Sequence, residues 1–204
     1  MRKAALVKMA MGAVFGLLVT QPAHALTFMF DAVGDTASFQ FLFSNSDVDL
    51  EATVDLEVVA IGGGNTDIEF AVSNDTIPTG DRLDLTALGL VDVNPDVAVS
   101  LLTAGTVFDG IALDTTFPGF QTVDACVFVG PNCSGAGSEG LGAGESDTFT
   151  LRFATDQKLT LEDFAGKWQT DFGSFEVPGV PEPGTALLLG LGLAGLGSTR
   201  RRTG

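Results

Sequence analysis

The sequence predicts an all-β protein: an antiparallel β-sandwich ectodomain followed by a single short C-terminal transmembrane helix. Three observations carry this. Short runs alternate apolar and polar residues at a period of two, the pattern of a strand with one buried face. Gly, Asn and Pro stand between these runs at regular spacing, as they do in sandwiches. Between residues 26 and 179 no long helical period is sustained. One Trp, 16 Phe and no Tyr suit a core of this kind.

The runs 26–33 and 36–44 place Phe28 and Phe30, then Phe39, Phe41 and Phe43, on single faces. The run 52–61 sets Val54, Leu56 and Val58 against Asp55 and Glu57, and 66–74 turns Ile68, Phe70 and Val72 inward. Gly62-Gly63-Gly64-Asn65 between them is a turn signal, so these two strands are expected to form a hairpin. Further strands are expected at 84–93, 97–104, 122–129, 146–154 and 168–177, with one helical turn at Leu161-Glu162-Asp163-Phe164.

Residues 1–25 read as a signal peptide. Arg2, Lys3 and Lys8 form a positive first segment, an apolar stretch runs from Met9 to Val19, and Ala23-His24-Ala25 gives the small-x-small site for signal peptidase. The apolar run is too short to serve comfortably as a membrane anchor, the alternative reading. At the other end, Val180-Pro181-Glu182-Pro183 leads into the apolar run 184–197 and then Ser198-Thr199-Arg200-Arg201-Arg202. Each proline fixes φ and disfavours helix at the residue before it, so the spacer is extended. The apolar run makes a helix of roughly 21–24 Å at ~1.5 Å per residue, short against a ~30 Å hydrocarbon core. Three arginines after an apolar span mark the cytoplasmic side, which puts the long preceding domain outside.

This succession closely resembles the PEP-CTERM sorting signal of Gram-negative bacteria. The resemblance implies that a membrane protease-transpeptidase, the exosortase, recognises and removes the tail. It makes Pro181, Glu182 and Pro183 the recognised residues, with Arg200, Arg201 and Arg202 completing the motif, all of them parts of a substrate. It also implies an inner-membrane-anchored precursor that ends at the cell surface or in the extracellular matrix, alongside exopolysaccharide production and biofilm or floc formation. The stretches VSNDT (72–76), LTALGL (85–90) and the glycine-rich 135–153 loosely resemble ectodomains that accompany this signal. The division expected is therefore 1–25 signal peptide, 26–179 acidic β-sandwich ectodomain and 180–204 sorting signal.

Composition restricts the ectodomain's chemistry. Only Arg82, Arg152, Lys158 and Lys167 stand against 25 acidic residues, a formal charge of −21. No basic patch exists, which excludes nucleic acid as a partner and repels acidic polysaccharide unless divalent cations intervene. The single histidine, His24, leaves with the signal peptide, removing Ser-His-Asp and Cys-His catalysis and His-based zinc sites. Nothing marks Lys158 or Lys167 as a buried base, since both sit in polar segments. Paired carboxylates could run glycoside hydrolysis, but 25 acids offer too many chance pairs to choose among. Gly135-x-Gly137-x-x-Gly140 matches a dinucleotide fingerprint only as a string, because a strand follows where a helix should open.

Cys126 and Cys133 read as one disulfide of an exported domain, with free thiols or half a metal site as alternatives. The weak calcium candidates are Asp47, Asp49 and Glu51, which alternate onto one face of a strand, and Asp92, Asn94 and Asp96 in a loop. Neither set completes an EF-hand pattern, and a solvated acidic face explains both. Asn74-Asp75-Thr76 and Asn132-Cys133-Ser134 are glycosylation sequons as strings. The reading that follows is a non-enzymatic surface or matrix protein with no cofactor, whose processing partners are signal peptidase and exosortase and whose further partner is exopolysaccharide. The runner-up is a carbohydrate- or calcium-binding module, recognisable by an exposed aromatic platform. The third is a secreted hydrolase, recognisable by converging carboxylates in a cleft.

Overall fold

A computed structural model describes residues 26–181 apart from 118, 120–121 and 135–138. The expected signal peptide, Glu182, Pro183, the expected C-terminal helix and Arg200–Arg202 lie outside the described residues, as do Gly135 and Gly137 of the fingerprint-like string. Among the described residues the chain forms eleven strands and no helix. They are β1 (Thr27–Phe30), β2 (Thr36–Ser44), β3 (Asp49–Gly62), β4 (Asn65–Ser73), β5 (Leu83–Asn94), β6 (Val99–Thr103), β7 (Gly110–Thr116), β8 (Thr122–Phe128), β9 (Ser146–Phe153), β10 (Leu159–Thr170) and β11 (Gly173–Pro181).

All pairings are antiparallel, in the order β6-β9-β4-β3-β2-β11-β10-β5-β8-β7, with β1 added on β10. The all-β, sandwich-like antiparallel fold is as expected, and its two faces are not independent sheets. β11 pairs with β10 from Thr170↔Gly173 to Ala165↔Pro178, then crosses to β2 through Gly179↔Phe41, Val180↔Gln40 and Pro181↔Phe39. That one strand joins the two faces into a continuous, nearly barrel-like sheet. Its two ends, β6 and β7, are blunted. β6 is five residues long with a register shift between Leu101 and Thr103, and β7 carries Asp114 at φ +46°. Irregular, short edges of this kind resist pairing with another chain.

The β3–β4 hairpin forms as expected, closed by Gly63 and Gly64 between Gly62 and Asn65. Their φ values of +62° and +77° are those a two-residue primed turn requires. Two expectations are corrected. The segment 161–164 is not a helical turn; it lies inside β10, where Phe164 pairs with Leu90. Asp163 there takes φ +52°, and its backbone N–H and carboxylate both bond Leu26, at 2.8 and 2.9 Å. The segment 168–177 is not one strand but the β10–β11 hairpin, with Asp171 and Phe172 at the turn.

The core lies between the two faces. Phe39 of β2 stacks on Phe164 of β10 with ring centroids 4.3 Å apart, and Phe41 meets Trp168 edge-on at 5.6 Å. Phe70 of β4 and Phe149 of β9, paired across the strands, stack at 5.2 Å. Each such pair adds roughly 0.5–1.5 kcal/mol beyond the area it buries. A second, smaller cluster of Ala87, Phe117, Val123, Cys126, Phe128, Cys133 and Ala165 sits apart from this core. A Cβ built on Gly89 would stand 3.1 Å from the Phe117 ring, so the small residue there admits the close approach. Cys126 and Cys133 are bonded to each other, with their Cα atoms 6.2 Å apart.

Candidate functional site

The described part of the sorting motif is a piece of the sheet. Val177 is the last fully buried side chain of β11, Gly179 and Val180 are half-buried, and Pro181 is exposed. A Cβ on Gly179 would lie 3.1 Å from Phe39 and 3.3 Å from Phe164, so the backbone is pressed onto the aromatic stack. Proline lacks an N–H and is tolerated at a sheet margin, where β11 ends. Glu182, Pro183 and the three arginines are outside the described residues.

The polar surface of β2, β3 and β4 forms a second candidate. A groove of about 440 Å³ is lined by Thr36, Ser38, Asp55, Glu57, Glu69 and Ala71, among others. Ser38 donates to Asp55 at 2.6 Å, and Glu57 stands directly across from Glu69. Like charges directly opposite are unfavourable unless water or a ligand screens them. Asp55 and Glu57 are exposed and Glu69 is half-exposed, so all three keep hydration. This groove can accept hydrogen bonds from hydroxyl groups.

Of the calcium candidates, Asp49 and Glu51 share one face of β3 as the alternation predicts, while Asp47 precedes the strand. Asp49 and Glu51 are exposed on β3, and Asp49 accepts from the Ser44 hydroxyl. Asp47 sits in the preceding turn, where its N–H donates to Asn45 at 2.8 Å. Asp47 and Asp49 share a depression of about 310 Å³ with Ile77, Asp81 and Phe172, and Asp49 and Glu51 line a neighbouring one. Asp92 and Asn94 end β5, and Asp96 follows the cis Asn94–Pro95 bond. Among the described residues no group of three or more His, Cys, Asp or Glu is placed to hold a metal ion. Phe172, half-exposed, is the one large aromatic on the surface among the described residues, so no aromatic platform forms there.

Several buried polar groups escaped the sequence reading. Lys167, expected in a polar segment, is 3% exposed inside β10 and bonds Glu176 of β11 at 2.5 Å. Asp147 is also buried, and burial pushes its carboxyl up. The N–H groups of Phe108, Thr106 and Val107 and the Thr106 hydroxyl, all at 2.8–2.9 Å, outweigh that and hold it below the usual carboxylate value. Arg152 grips Asp67 with two bonds of 2.7 and 2.8 Å, which lowers the Asp67 carboxyl and raises the guanidinium. Asn74 is fully buried and donates to the carbonyls of Leu83 and Leu141, so its sequon is closed to any modifying enzyme. Asp147 carried a signal in the sequence, as a polar residue in phase with the inward Phe149, Leu151 and Phe153 of β9. Asp67 is out of phase with the inward residues of β4 and Asn74 follows that strand, so neither did.

The domain is acidic, disulfide-bonded and all-β, and in the sequence its last strand runs into a proline-flanked glutamate. A family model, the PEP-CTERM protein-sorting motif, matches residues 179–202. That motif implies a secreted surface protein targeted to exosortase, and it begins on the last three residues of β11. No curated protein and no solved structure matches the chain.

Proposed function

We propose that this chain is a non-enzymatic protein of the cell surface or extracellular matrix, released from its membrane precursor by exosortase and associated with exopolysaccharide and biofilm or floc formation. The observation that carries the reading is the sorting motif at residues 179–202, continuous with the final strand of an exported fold. The proposed precursor runs as signal peptide, domain and apolar anchor. The surface chemistry supports a structural role, since the depressions are open and two of them carry several carboxylates. A charge of −21 on the domain keeps it dispersed in a hydrated matrix and leaves divalent cations to bridge it to acidic polymers.

The test is fractionation of the native host, with and without its exosortase. The processed chain is expected in the surface and matrix fractions of the intact strain, and the unprocessed precursor in the inner membrane of the deleted one. A chain found in the inner membrane of both strains contradicts the proposal.

The groove bounded by Asp55, Glu57 and Glu69 favours a second reading, a module that binds a neutral saccharide through hydroxyl-to-carboxylate hydrogen bonds. Substituting Glu57→Ala and Glu69→Ala together would then abolish retention on isolated exopolysaccharide. Unchanged retention leaves the surface as a solvated face.

A further inference from the structure

We propose that the fold itself guards the sorting motif: Gly179–Pro181 must come off β2 before exosortase can act on the segment they begin. This rests on the exosortase reading above and adds a step to it. The matched segment starts at Gly179, yet Gly179, Val180 and Pro181 are still paired with Phe41, Gln40 and Phe39. No spacer separates domain from motif. The same strand joins the two faces of the sheet, so its end is part of the architecture.

A protease takes its substrate as an extended chain whose backbone groups bond to the enzyme, in the manner of an added strand. Backbone groups already bonded to β2 are not available for that. Cleavage breaks one peptide bond of the segment and passes its carbonyl to water, giving a carboxylate, or to an acceptor amine, giving an amide. The tail keeps the new amino group. None of this chemistry needs the domain to unfold, only its last residues to detach. Detachment is within reach because the grip is short. Beyond Val177 no side chain of β11 is fully buried, and the hold consists of a three-residue ladder and the contact of Gly179 with Phe39 and Phe164. Chain ends with few buried contacts open locally at far less cost than the whole fold. The cleavable population is then a minority in rapid exchange with the docked one.

The experiment compares full-length chains in membranes that contain exosortase, following loss of the tail by mass. One variant carries six Gly/Ser residues between Val180 and Pro181, freeing the motif from the fold. Another carries Gln40→Cys with Val180→Cys, a cross-strand pair whose disulfide pins the strand end. The spacer is expected to speed processing by about five- to thirty-fold, the population ratio that one or two net backbone hydrogen bonds sustain. The pinned chain is expected to resist processing until a reductant opens it, while the same reductant leaves the wild-type rate unchanged. Equal rates for wild type, spacer and pinned chains, with the added disulfide verified by mass, overturn the inference and leave the exosortase reading intact. Failure of exosortase to process even the spacer variant overturns that reading, and this inference with it.

Discussion

Asp147 shows how much of this fold rests on single polar groups. Its carboxylate gathers the donors of Thr106, Val107 and Phe108 and so shapes the chain between β6 and β7. Asp67 does the same for β4 and β9 through Arg152. Both carboxyls sit below their unfolded value of about 3.9. A depressed carboxyl contributes stability in full above that value, and the contribution is lost as pH falls through the lower, folded one. Melting curves between pH 7 and pH 2 should therefore be flat down to about pH 4–5 and fall below it. Asp147→Asn should cost about 2–3 kcal/mol at pH 7, because an amide N–H₂ then faces backbone donors in a buried site. Its acid fall should be shallower than wild type. A variant as stable as wild type at pH 7 would show that the loop is held by other contacts.

At the scale of the elements, legibility followed burial on one face. β2 and β3 alternate, and the extents of β2 and β9, 36–44 and 146–153, nearly match the sequence pattern. β10 was illegible for a physical reason: it is buried from Phe164 to Trp168 without alternation, and Asp163 adopts a left-handed backbone there. Leu161-Glu162-Asp163-Phe164 then mimics a helical turn. β7 was missed for the opposite reason, since as an edge strand it has no fully buried residue and so no pattern. The crossing of β11 from one face to the other leaves no trace in periodicity. The sorting motif was legible because local residue order defines it, whereas the groove of Asp55, Glu57 and Glu69 depends on the registry of β2 to β4. The disulfide was legible from export and proximity. It anchors β8 within the smaller cluster. Replacing Cys126 and Cys133 by Ser should cost about 2–3 kcal/mol, as expected for so short a loop. That corresponds to a Tm about 5–10 °C lower. An unchanged Tm would mean that Phe117 and its neighbours hold this segment without the bond.

On the scale of the whole molecule, the domain combines a well-packed aromatic core with a surface of one sign. Its charge of −21 is repulsive over about 30 Å at 0.01 M salt and over about 8 Å at 0.15 M. Thermal stability should rise smoothly with sodium chloride across that range. Adding 5 mM calcium at 0.15 M salt should produce no further shift, because the carboxylates at 47–51 and 92–96 are dispersed. A calcium-dependent rise of several degrees that Asp49→Ala or Asp92→Ala abolishes would instead reveal a specific site. An acidic exterior that tolerates salt and remains hydrated suits a matrix between cells.

The most direct measurement is the intact mass of the protein recovered from its native host. The account predicts a chain that starts at Leu26, carries one internal disulfide and has lost Arg200–Arg202 through cleavage within the sorting segment. A mature protein that keeps Arg200–Arg202 would contradict it.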